Sequence, residues 1–197
     1  MSLVEKIRNR YFMFIMHSGN EDKKEKVLRK KLAFLGENSR VYSDQFGAEP
    51  WLLSIGNNVI VASGVMFIEH DASYYTAYRY MNKKFNVNTE KMGAIIIEDN
   101  CFVGANSIIL GGSKVGRDSI IAAGAVVHGI VPPGEVCGGG VPAHFIMKTE
   151  EYSNRVIKEA NNLPWSFDDD WDGKDNDMCR KHMFEFYKKR LDKGNMV

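Results

Sequence analysis

Three acidic residues and one histidine form the first group able to do chemistry: Glu69, His70 and Asp71 in succession, and Glu49 upstream of them. An imidazole with its ordinary pKa, about 6.5, can both take up and return a proton near neutral pH. That capacity suits a general base acting on a hydroxyl, a group far too weakly acidic to ionise unaided. Such a base needs an acceptor on its far ring nitrogen, and Asp71, Glu69 and Glu49 are the candidates. Asp71 follows the histidine directly and can equally cap a turn. Glu49 can orient His70 or hold a substrate. The plainer alternative is a surface-corner histidine with no role.

The remaining reactive residues exclude other chemistries. The histidines stand at 17, 70, 128, 144 and 182, with no pair at metal-ligand spacing, so no metal site is expected. The cysteines, Cys101, Cys137 and Cys179, form no CxxC pair, which fits a reducing compartment. Tyr74, Tyr75, Tyr78, Arg79 and Tyr80 cluster just after the histidine, and such rings stack on sugar faces or on an aromatic compound. The chain of 197 residues holds 26 basic and 25 acidic residues. A balance of that kind argues against a dedicated nucleic-acid binder. The apolar run from Tyr11 to Met16 is far short of the roughly 18 residues a membrane span requires, and no signal-peptide pattern is visible. A cytoplasmic protein is expected.

The elements that must position these residues follow a period of six. From Ile55 the blocks read IGNNVI, VASGVM and FIEHDA, and after an interruption IEDNCF, VGANSI, ILGGSK, VGRDSI, IAAGAV and VHGIVP. The first slot is always large and apolar: Ile55, Val61, Phe67, Ile97, Val103, Ile109, Val115, Ile121 and Val127. The fourth slot of the regular blocks holds Asn58, Gly64, Asn100, Asn106, Gly112, Asp118 and Gly124, the residue types at ease with positive φ. The fifth slot holds Val59, Val65, Cys101, Ser107, Ser113, Ser119 and Ala125, all small or β-branched. This predicts a short strand, a tight left-handed corner and a small residue tucked inside it. One block cannot bury its apolar face, so the blocks must stack. His70 falls in a fourth slot and is expected at such a corner, pointing away from the core.

Partial blocks begin at Leu35 and Val41, out of phase, which puts an insertion near 47–54. A second excursion, from 71 to 94, leaves the stack beside His70. Excursions of this length in a compact repeat are usually functional. Residues 2–17 and 20–34 read as helices, the first with Leu3, Val4, Ile7, Tyr11 and Phe14 on one face. The run Lys23 to Lys31 is basic and suits a solvated face, or a patch for an acidic partner or membrane surface. Trp165 to Asp177 reads as an acidic, aromatic connector. Asp177 to Lys193 reads as a last helix with Met178, Met183, Phe184, Phe186 and Tyr187 as its apolar contacts. The expected domains are a helical segment 1–34, a repeat domain 35–148 carrying the loop 71–94, and a helical extension 149–197.

The repeat resembles the hexapeptide-repeat acyltransferases. The run Gly47-Ala48-Glu49-Pro50-Trp51, the run Gly64 to Asp71, the run Ile97 to Gly104 and the close Gly139-Gly140-Val141-Pro142-Ala143 are similar to polysaccharide and sugar O-acetyltransferases related to maltose, galactoside and xenobiotic acetyltransferases. The similarity covers about residues 35–148. It implies an all-β core, a left-handed parallel β-helix of hexapeptide repeats with three blocks per coil, flanked by N-terminal helices and a C-terminal helix. It further implies a homotrimer with clefts between subunits, acetyl-CoA as donor, and direct transfer to a sugar or polysaccharide-precursor hydroxyl with His70 as general base.

By the same resemblance the donor lies along Phe102, Gly104, Ala105, Ala122 and Ala123. Small residues there are equally explained by corner packing. Gly129 stands where maltose-type enzymes often carry a lysine, so Lys148 becomes the candidate for the CoA 3′-phosphate, with His128 and His144 as lesser options. Glu49, Tyr74, Tyr75 and Arg79 are the acceptor-side candidates. Two readings compete. A zinc enzyme on the same fold would need three clustered histidines. A non-catalytic scaffold would need neither the base nor the aromatic excursion.

Overall fold

Residues 3–84, 91–163 and 177–192 are described by the computed structural model. The chain divides into two compact units, Met1–Ser153 and Asn154–Val197.

In the first unit the chain visits three parallel sheets in strict rotation. Strands β1 (Phe34–Leu35), β4 (Leu53–Ile55), β9 (Ile95–Ile97), β12 (Lys114–Val115) and β15 (Ile130–Val131) form one sheet. Strands β2 (Arg40–Val41), β5 (Ile60–Val61), β10 (Phe102–Val103), β13 (Ile120–Ile121) and β16 (Glu135–Gly138) form the second, with β17 (His144–Lys148) added antiparallel at its edge. Strands β3 (Gln45–Phe46), β6 (Met66–Ile68), β11 (Ile108–Leu110) and β14 (Val126–Val127) form the third. One pass through the three sheets makes a coil. Register aligns each apolar slot with the slot one coil on: Ile55 with Ile97, Val61 with Val103, Phe67 with Ile109 and Ile109 with Val127.

All nine first-slot residues are at most 2% exposed, so they form a continuous core by apolar burial. All seven fourth-slot residues of the regular blocks have positive φ. Each fifth-slot residue is buried, and its serines are satisfied by carbonyls of neighbouring corners. Ser107 Oγ donates to Gly104 O at 2.7 Å, and Ser119 Oγ to Pro132 O at 2.9 Å. Gly56 and Gly104 are required by close approach. A Cβ on Gly56 would sit 2.4 Å from Asp99 Oδ1, and one on Gly104 2.5 Å from Ala123 N.

Two features of the stack depart from the repeat. The first coil is lengthened after β3 by residues 47–52, where Pro50–Leu52 make a 3-10 turn. The last coil is shortened: β14 ends at Val127 and β15 already buries Val131. Gly129, with φ +101°, makes the tighter corner. Val131 and Cys137, both buried, therefore begin a further partial coil that the six-residue alignment did not reach.

Helices α1 (Leu3–Met16) and α2 (Glu21–Lys31) precede the coils. Asn20 caps α2, its side chain accepting from Lys23 N. The expected inward face of α1 is corrected. Ile7, Tyr11 and Phe14 are 57–70% exposed, while Phe12, Ile15 and Met16 are buried. Phe12 and Met16 are one turn apart and join Leu28 of α2 and Leu32 just after it in the core, which selects that stripe over the one the spacing favoured.

In the second unit, α5 (Asp177–Asp192) spans the expected last helix. None of its described side chains is buried: Phe184 is 66% exposed and Tyr187 44%. Its aromatics therefore do not act as core contacts in the single chain, and Met178 lies outside the described side chains. The connector 165–176 also lies outside the described residues. Helix α4 (Thr149–Ala160) leads from the first unit. No helix among the described residues is long and apolar enough to cross a membrane.

Candidate active site

The site grows where the coil stops obeying its period. Along β6 the side chains alternate, with Met66 exposed, Phe67 buried and Ile68 half-buried. The alternation continues one step past the strand: Glu69 is 1% exposed and turned inward, and His70 is turned out. His70 is not at a left-handed corner, contrary to its slot. It opens a short strand β7 (His70–Asp71) that pairs antiparallel with β8 (Lys91–Met92). The chain thus leaves through a hairpin base instead of a turn. It rejoins the stack at Gly93, whose N–H donates to Glu69 O at 2.7 Å.

The coil below supplies the partner. Phe46 stacks on Phe67 at 5.7 Å between ring centroids, and the next residues, Gly47 and Ala48, lead to Glu49. Pro50 at the start of the 3-10 turn presets its φ, and Glu49 O accepts from Leu52 N–H at 2.9 Å. This places the 8%-exposed Glu49 beside His70. Glu49 Oε2 lies 2.6 Å from His70 Nδ1. A carboxylate can only accept, so Nδ1–H donates and the accepting lone pair of the neutral ring falls on Nε2. A pocket of about 270 Å³ opens here, lined in part by Phe46, Gly47, Ala48, Ile68, Glu69 and His70.

Of the three acceptor candidates, the geometry joins only Glu49 to the ring's Nδ1. Asp71 Oδ1 instead accepts from Ser73 N–H at 2.8 Å and starts the helix α3 (Tyr74–Tyr80). Its bonds with Ser73, aided by the charge of Lys91, hold its carboxyl below the ordinary range. Glu69 is the residue whose importance the repeat concealed. It stands two residues after Phe67, just past the strand, where the alternation carries on to the inward face, and that spacing was the available signal.

The expected loop 71–94 carries a helix. Tyr74, Tyr75 and Arg79 are exposed on α3, and the Tyr74 and Tyr78 rings lie 6.4 Å apart. Residues 85–90 lie outside the described residues. The donor-side candidates sit on later coils. Phe102 is 40% exposed on β10. Gly104 and Ala105 follow it, with Ala122 and Ala123 stacked one coil on. Lys148 Nζ is 2.7 Å from Glu135 Oε1, and is therefore already paired. His128 and His144 are exposed. No group of three His, Cys, Asp or Glu among the described residues could hold a metal.

Comparison with known proteins agrees with this architecture. Residues 94–128 match the family model described as the hexapeptide repeat of succinyl-transferase. The chain is 35% identical to Protein CapG of Staphylococcus aureus over 140 residues, covering 70% of this chain and 78% of that one. It is 32% identical to the putative acetyltransferase YvoF of Bacillus subtilis over 111 residues, 56% of each. The chain belongs to the hexapeptide-repeat acetyltransferase family. Among solved structures, it shares its fold with the acetyltransferase VCA0836 of Vibrio cholerae, with a TM-score of 0.54 at 22% identity, covering 76% of this chain and 94% of that one. It also shares it with a galactoside acetyltransferase in complex with coenzyme A, with a TM-score of 0.55 at 21% identity, covering 75% and 82%.

Proposed function

We propose that this protein is an acetyl-CoA-dependent O-acetyltransferase acting on a hydroxyl of a sugar or polysaccharide precursor. The observation that carries the reading is the Glu49–His70 contact at the edge of the pocket. Glu49 holds the ring by Nδ1, and Nε2 accepts the acceptor's hydroxyl proton as its oxygen attacks the thioester carbonyl. The new C–O bond forms and the C–S bond breaks. The imidazolium returns its proton to the departing thiolate, so no acyl-enzyme is needed.

The later coils support the donor side. Phe102 offers an exposed apolar wall, and the small residues Gly104, Ala105, Ala122 and Ala123 let a pantetheine arm reach backbone groups. The galactoside enzyme with this fold holds coenzyme A. The family resemblance extends the reading to left-handed winding, a cytoplasmic homotrimer and clefts shared between subunits. The exposed outward residues Ile96, Phe102 and Ile130 suit subunit contacts. Tyr74, Tyr75 and Arg79 on α3 suit recognition of the acceptor.

A thiol-release assay with acetyl-CoA against nucleotide sugars, free sugars, glycan repeats and xenobiotics tests this. Turnover should be confined to hydroxyl-bearing sugars. Acetyl-CoA should also raise the melting temperature, because a ligand that binds only the native state stabilises it. A chain that neither releases thiol nor shifts its melting with acetyl-CoA would be a scaffold.

A further inference from the structure

Glu69 is the one acidic side chain of the site without a partner among the described contacts. Both of its carboxyl oxygens are sealed from solvent and neither has a hydrogen-bond partner. The carboxyl lies over Gly47 so closely that a Cβ there would sit 1.9 Å from Oε2. On the coil above, Gly93 and Gly111 lie against the main-chain carbonyl of Glu69. The titratable groups that face it are Glu49, from the segment before the 3-10 turn, and His70, the next residue in the chain. Glu49, by contrast, has its partner in His70 Nδ1.

Two carboxyls in one neighbourhood do not ionise alike. Burying an uncompensated carboxylate is costly, and a second negative charge nearby adds to the cost. Glu49 has a cation-capable partner and Glu69 has none, so the proton belongs on Glu69. We propose that Glu69 is a positioning residue for the transfer proposed above: its carboxyl carries a proton in the resting protein, leaving Glu49 as the single anion acting on His70. Burial first, and the Glu49 charge to a lesser extent, push the Glu69 carboxyl above the ordinary range, while its own backbone N–H and His70 pull the other way.

The consequence lies in the charge that His70 feels. With Glu69 neutral, one carboxylate holds the imidazolium. With Glu69 ionised, two would hold it, and the ring would stay protonated to higher pH, unable to accept a proton from the acceptor. The neutral acid therefore keeps His70 available as a base near neutrality. Gly47 permits this arrangement by leaving room for the carboxyl.

The test needs no acceptor. Histidine labelled with ¹³C is followed by NMR across pH in the wild type and in Glu69→Gln, with His70 assigned by its loss in His70→Ala. The two proteins should share the midpoint of the main His70 step. Any further wild-type step should lie above that midpoint, where Glu69 would ionise, and be absent from Glu69→Gln. Infrared spectra of the wild type at neutral pH should show a protonated-carboxyl C=O band that Glu69→Gln removes. A His70 midpoint lower by about one unit or more in Glu69→Gln would mean that Glu69 is an anion in the wild type, and would overturn the proposal. Should Glu69→Gln not fold, the wild type decides alone: the C=O band must persist at pH values where ordinary carboxyls have ionised, and its absence overturns the proposal. Turnover surviving in His70→Ala would sink the reading of His70 as general base and leave this charge arrangement standing.

Discussion

The coils from β9 to β14 and the coils carrying residues 47–52 and 69–93 are built from the same repeat, yet they do opposite work. In the later coils every inward position is apolar or a satisfied small residue. Ile109 and Val115 are fully buried, and Ser107 bonds to two carbonyls. In the earlier coils the inward position after Phe67 is a carboxyl with no partner, and the adjoining chain leaves the stack twice. Regularity buries apolar surface at little polar cost. Departure from it is what lets Glu49, Glu69 and His70 meet, since a regular corner would have turned His70 away from the coil below. Stability and chemistry thus occupy different parts of one stack.

The largest expected effect tests the chemical side. His70→Ala removes the proposed base and no part of the apolar stack. Its kcat should fall by roughly 10²–10⁴-fold, with acetyl-CoA affinity and folding retained. Wild-type kcat/KM should rise with pH as His70 loses its proton, and the variant should lose that limb. Glu49→Gln keeps an accepting oxygen but no charge, so its activity should fall between the two. Steady-state kinetics with the acceptor found in the thiol-release panel measures all three. A folded His70→Ala enzyme with near-wild-type turnover would falsify the assignment.

A second pair of variants tests the structural side. Ile109 is fully buried between Phe67 and Val127. Ile109→Ala should destabilise the fold by about 2–5 kcal/mol through lost transfer energy and a cavity. Tyr75 on α3 is 43% exposed, and Tyr75→Ala should change stability by no more than about 0.5 kcal/mol. Its effect should appear in the acceptor KM. Denaturant melts of both variants decide it. Comparable losses of stability would mean that the excursion is part of the core after all.

How much of this was legible in the residues follows from the same contrast. The slots were readable because each is set locally: an inward strand position, a left-handed corner and a cramped fifth place. Asn58, Asn100 and Asp118 adopt the expected conformation for that reason. The fault came at His70, whose slot predicted a corner. Slot logic assumes that the chain continues the coil, and here the pairing of β7 with β8 overrides it. Glu49 was visible as a candidate but not as the partner of Nδ1, because the choice depends on where a six-residue insertion folds. The face of α1 was misjudged for a related reason. Two apolar stripes were present, and packing against α2 chose the one with fewer residues. The shortened corner at Gly129 was hidden because the residues after Val127 still fit a block of six.

The smallest effect is expected at Asp71, and it separates a chemical neighbour from a structural one. Asp71 adjoins His70 in sequence, yet its Oδ1 accepts from Ser73 N–H and so starts α3. Those bonds, with Lys91 opposite, hold its carboxyl below the ordinary range. A carboxyl so lowered binds fewer protons when folded than when unfolded. Its stabilising contribution is therefore present above the unfolded carboxylate pKa and is lost as pH falls through the lowered folded value. The side chain is fully exposed, so solvent screens that contribution. Asp71→Asn retains an accepting oxygen for Ser73 and removes the charge. Turnover should stay near wild type, and melting temperature should become less sensitive to acid. Kinetics together with melts at neutral and acid pH measure both. If Asp71→Asn instead loses as much turnover as Glu49→Gln, Asp71 acts on the ring during transfer as well as Glu49. The division between the part of the excursion that acts on His70 and the part that only folds would then run one residue further along the chain.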